Sequence, residues 1–94
     1  MARTASKNAS LGEVVSPTVF REGGYRFFFF SREESRIHIH ITCADGEAKF
    51  WLDPVVALAT SHGLPRQVLR ELQKIVEDKD DELRSAWQRH FGQS

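Results

Sequence analysis

Ile37-His38-Ile39-His40-Ile41-Thr42 decides the fold class, because apolar and polar side chains alternate there without a break. A period of two is that of a β-strand with two unlike faces, so the isoleucines turn to a core and the histidines away from it. Upstream, Thr18-Val19-Phe20 is a short β-prone run, and Glu22-Gly23-Gly24 is a turn that returns the chain into a second strand over residues 25–31. Arg32-Glu33-Glu34-Ser35 separates this hairpin from the His-x-His strand. Downstream, Asp45-Gly46 turns the chain into a fourth strand over residues 47–52.

The texture changes at Asp53-Pro54, since Asp is a good helix N-cap and Pro fits the first helical position. Val55-Val56-Ala57-Leu58-Ala59 is therefore expected to wind one or two helical turns that end at Gly63. Pro65 opens a second helical segment, in which Val68, Leu69, Leu72, Ile75 and Val76 recur at three- and four-residue steps and Leu83, Trp87 and Phe91 continue the stripe. A gap at Lys79-Asp80 predicts two consecutive helices, near 65–78 and 80–91, or one continuous helix, closed by Gly92. The result is an α+β fold: a small antiparallel sheet of about four strands followed by two or three helices packed on one face. The expected core is Phe27, Phe29, Ile37, Ile39, Ile41, Phe50, Leu52, Leu69, Leu72, Ile75, Leu83 and Trp87.

Ninety-four residues, 40% apolar and 28% charged, suffice for one modest core. Residues 1–16, rich in Ala, Ser, Thr and Asn without periodicity, read as a flexible tail, and residues 17–94 as a single domain. Thirteen basic and thirteen acidic residues cancel, so there is no bulk attraction to nucleic acid or an anionic membrane, and any RNA binding has to be local. A lone cysteine, Cys43, makes no internal disulfide and continues the isoleucine face as a small apolar residue. With neither a signal-peptide core nor a run of eighteen apolar residues, the expected location is the cytoplasm and no membrane partner is expected.

Pro17-Thr18-Val19, Gly24-Tyr25-Arg26-Phe27-Phe28-Phe29, Ile37-His38-Ile39-His40-Ile41 and Asp45-Gly46-Glu47-Ala48-Lys49-Phe50-Trp51-Leu52-Asp53-Pro54 together resemble a bacterial group, domain-of-unknown-function family 4160. The likeness continues through Arg70-Glu71-Leu72, Ile75-Val76-Glu77 and Ala86-Trp87. One departure stands out, since the family's His-x-His strand is typically preceded by a Pro-Pro pair and this chain has Ser35-Arg36. The resemblance implies a small gene beside another short gene, with some members placed on the toxin side of toxin–antitoxin pairs.

Alternation sorts the outward face of the sheet. Arg36, His38, His40 and Thr42 face away from the isoleucines, with Glu47, Lys49 and Trp51 beside them on the next strand and Arg26, Phe28 and Phe30 on the second strand. Phe28, Phe30 and Trp51 form an expected partner-binding patch, for a small protein encoded by an adjacent gene or for a second copy of the chain. His38 and His40 are candidate general acid–base residues, with Arg26, Arg36 and Lys49 to hold the phosphate of an RNA. The histidine pair also has the spacing of two metal ligands, which Glu47, His62 or His90 would have to complete, but two ligands do not make a site. No metal or cofactor is expected, and no motif supports a rival chemistry, since phosphate-binding glycine loops, Gly-x-Ser-x-Gly and dinucleotide fingerprints are all lacking. An interaction module is the favoured function, and a toxin-like RNA-binding or RNA-cleaving component is the alternative.

Overall fold

A computed structural model describes residues 18–29 and 36–91. The expected tail, Pro17, Phe30, the Arg32-Glu33-Glu34-Ser35 break and Gly92 lie outside the described residues. Within them the chain forms β1 (Thr18–Glu22), β2 (Tyr25–Phe28), β3 (His38–Thr42), β4 (Glu47–Trp51), β5 (Ala57–His62), α1 (Arg66–Asp78) and α2 (Asp80–Phe91). The five strands pair antiparallel in sequence order, with β1 and β5 at the edges. This is an α+β fold with the helices after the sheet.

The β1–β2 hairpin closes through Gly23 and Gly24, whose φ angles of 57° and 85° are those of a two-residue turn suited to the twist of its strands. Cys43 N–H donates to the Gly46 carbonyl to close the β3–β4 turn. Gly46 is required there, because a side chain would drive its first carbon into the His62 carbonyl oxygen at the end of β5.

The short helix expected over Val55–Ala59 is a strand instead. Asp53 and Pro54 form a turn with a cis peptide bond, and the chain returns along β4 with Trp51 opposite Ala57, Phe50 opposite Leu58, Lys49 opposite Thr60 and Glu47 opposite His62. The local signals for a helix are outweighed by tertiary pairing: without β5, the second edge of β4 would leave its backbone groups unbonded beside the core. Among the described residues the sheet thus has five strands where about four are expected, and the helices number two.

Both helices lie on the isoleucine side of the sheet. Leu72 and Val76 of α1 and Leu83 and Trp87 of α2 close over Phe27, Phe29, Ile39, Ile41, Ala48, Phe50 and Leu52, all buried. Ile37, Leu69 and Ile75, expected in the core, are partly buried around it. The helices are separated at Lys79, and the acidic Asp80, Asp81 and Glu82 occupy the first turn of α2, where negative charge complements the helix dipole. Arg84 then fastens α2 to the sheet, donating to the Leu52 carbonyl and pairing with Asp80 at 3.0 Å and Asp53 at 3.6 Å.

Phe29 touches both Trp87, edge-on at 5.3 Å, and Phe91 at 5.8 Å between ring centroids, so it seals the seam between β2 and α2. Phe29→Ala is expected to destabilise the protein by about 3–5 kcal/mol in chemical denaturation, the cost of an aromatic-sized cavity.

Candidate binding face

Cross-strand register arranges the face opposite the helices in rows. Phe28, His40, Lys49 and Thr60 stand opposite one another across β2 to β5. A second row runs Arg21, Arg26, Thr42, Glu47, His62, and a third runs His38, Trp51, Ala57. Phe28, His40, Glu47, Lys49 and Thr60 line a shallow depression of about 250 Å3.

The side chains of this face overlap as a chain of rings and cations. Arg26 lies over Phe28, its guanidinium carbon 4.4 Å from the ring centre, and donates through Nε to Thr18 Oγ1 at 2.6 Å. Phe28 stacks on His40 at 5.5 Å, and His40 meets His38 edge-on at 5.0 Å. His38 in turn meets Trp51 at 5.8 Å and Trp87 of α2 at 5.1 Å. Trp51 carries two cations over its ring, Arg36 at 4.1 Å and Lys49 at 4.5 Å. Each such contact is worth about 0.5–1 kcal/mol at an exposed site. Arg36 is further fixed by its Nε–H, which donates to the Asp53 carbonyl at 3.0 Å.

Two expectations are corrected by this geometry. His38 is not on an open face: it has no exposed surface, being enclosed by Trp51 and Trp87. Its Nδ1 lies 2.6 Å from the Arg36 carbonyl, which can only accept, so the proton sits on Nδ1. Phe28 is also buried, at 7% exposure, because Arg26 and His40 lie flat against its ring. Of the expected aromatic patch, Trp51 is the half-exposed member, and Phe30 falls outside the described residues.

The phosphate-holding candidates Arg26, Arg36 and Lys49 do come together, on the same face as half-buried His40. His62 ends the second row opposite Glu47, whereas His90 stacks on Phe29 at 6.3 Å. Among the described residues no three His, Cys, Asp or Glu side chains are grouped to hold a metal ion. Cys43 is partly buried just beyond β3. Trp87 is the contributor that sequence reasoning missed, since its place on the helical stripe marks it as core and nothing local announces its contact with His38.

The family model for "Domain of unknown function (DUF4160)" matches residues 24–88, from the first hairpin turn to within α2. The chain belongs to this family. No curated protein and no solved structure matches it. No helix among the described residues is long and apolar enough to cross a membrane.

Burial separates the two histidines energetically. His38→Ala is expected to cost about 2–4 kcal/mol, since it empties a closed site between two tryptophans, and His40→Ala about 1 kcal/mol. Urea denaturation of the two single variants measures the difference, and equal losses would contradict the enclosure of His38.

Proposed function

We propose that this DUF4160 protein is a cytoplasmic protein-interaction module that docks a small partner on the outer face of its sheet, with Trp51 as the central anchor. The observation that carries this reading is the half-exposed Trp51 ring held between Arg36 and Lys49. Trp and Arg are the residues most often found at the energetic centre of protein interfaces, where a rigid ring contributes area and a guanidinium recognises carboxylates. Arg21 and Arg26 lie on the same face, and Glu47 is its one carboxylate among the described residues of the strands. Such a surface fits a partner with an acidic patch around an apolar contact. Phe28 lies beneath Arg26 and His40 on the same face.

A second reading, a toxin-like RNA-binding or RNA-cleaving component, is favoured by the same local concentration of cations. Arg26, Arg36 and Lys49 would hold phosphates, and rings on a sheet face can stack on unpaired bases. In that reading His40 carries the proton transfer, and enclosed His38 orients it as the ring beside it.

The two readings separate by experiment. Sedimentation with the adjacent gene's product is expected to show a complex that Trp51→Ser weakens at least tenfold while the fold persists. Failure of the wild type to bind that product sinks the first reading. Salt-dependent RNA binding lost in Lys49→Glu, with growth arrest abolished by His40→Ala, would establish the second.

A further inference from the structure

The outer edge of β5, which no described strand pairs with, lies beside a groove of about 320 Å3 lined by Phe50, Leu58, Leu69 and Gln73, with Arg66 and Arg70 of α1 among its walls. This surface is on the helix side of the sheet's edge, away from the Trp51 face. We propose that it is a second docking site, for an extended, acidic segment of a partner protein that adds to the sheet as a strand.

The two edges of the sheet are unlike. Both carry a break in register, between Thr18 and Phe20 in β1 and at Ala59 in β5, where Leu58 and Thr60 stand opposite the adjacent Phe50 and Lys49, but β1 also carries Arg21 and Glu22, charges of the kind that keep an edge from pairing further. β5 reads Ala57-Leu58-Ala59-Thr60-Ser61-His62, without a Lys, Arg, Asp, Glu or Pro, and no described strand pairs with its outer side. Leu58 is 41% exposed there and Val55, just before the strand, 66%, the exposed large apolar residues of the described chain. An uncharged edge with apolar side chains in water is the arrangement that strand addition uses: backbone bonds supply affinity and alternate side chains enter pockets.

The groove selects the partner's chemistry. In an added strand every second side chain turns toward α1, where an apolar one meets Leu58 and Leu69. The next side chains on that same face, two residues away in either direction, lie within reach of Arg66 and Arg70, both exposed, with no carboxylate among the groove's lining residues. Paired guanidiniums one helical turn apart favour carboxylates on the incoming strand. The same pair disfavours a second copy of this chain, since a dyad at β5 would bring two sets of Arg66 and Arg70 toward each other.

The test uses the full chain, titrated with a short synthetic peptide in which valine and glutamate take turns at every second position, with threonine between them so that both share one face, and with its valine–lysine counterpart, and read by amide NMR. Shifts confined to residues 57–62 and the start of α1, appearing for the glutamate peptide and lost in the Arg66→Glu/Arg70→Glu double variant, are expected. Leu58→Ser, at an exposed position in the groove, should weaken binding without the charge change. The proposal is overturned if the lysine peptide binds equally, if the shifts map to Lys49 and Trp51, or if sedimentation shows that β5 is occupied by a second copy. Because Trp51→Ser leaves the β5 edge intact, retention of peptide binding in that variant keeps this site's outcome separate from that of the sheet face.

Discussion

Ile39 on β3 stands opposite Phe50 on β4, both with no exposed surface, and this pair sets the register on which the other contacts depend. A slip of one residue would turn His38, His40, Lys49 and Trp51 into the core and the isoleucines into water. Around the pair, Phe27 and Ile41 extend the buried layer toward β1, while Leu72 and Val76 cover it from α1. The outer face is the other half of the same constraint. Its rings and cations are neighbours because the two-residue period leaves them no other side.

The helices do more than cover the core. Arg84 joins α2 to the Leu52 carbonyl and to Asp53, at the turn that sends the chain into β5. Exposed ion pairs contribute little by themselves; what matters here is that one guanidinium holds helix, strand end and turn together. One helical turn further on, Trp87 reaches Phe29 and His38 at the same end of the sheet. Enclosure of His38 therefore depends on the seating of α2, which couples the outer face to the helix layer through a single ring.

How much of this the sequence discloses varies with the range of the forces involved. The helices over 66–78 and 80–91 are legible to within a residue, because a stripe at three- and four-residue spacing has one explanation and Lys79 breaks it. β3 and β4 are legible from strict alternation. β5 is not, since Asp53-Pro54 followed by Val55-Val56-Ala57-Leu58-Ala59 satisfies local helix rules and the deciding contact is with β4. At the candidate site, alternation assigns the sides correctly for Arg26, His40, Lys49 and Trp51, but it is silent on exposure. Phe28 is buried by Arg26 and His40 lying across it, and His38 by Trp87 from the far end of the chain, both side-chain arrangements without a sequence period.

A formal charge of zero conceals a segregated surface. Asp78, Asp80, Asp81 and Glu82 gather at the junction of the helices, where the N-terminus of α2 and Lys79, 3.6 Å from Glu82, offset them. With those carboxylates held at the junction, Arg21, Arg26, Arg36 and Lys49 dominate the sheet face and Arg66 and Arg70 the β5 groove. Thr60 belongs to both regions: it ends the Phe28–His40–Lys49 row and lies on the β5 edge. An acidic chain lying along β5 would thus stand next to the end of that row, at roughly one strand spacing of about 4.8 Å. Occupation of either surface raises the local negative charge beside the other, so two acidic ligands would oppose each other there, whereas one partner spanning both would gain from each set of cations at a single entropic cost of association.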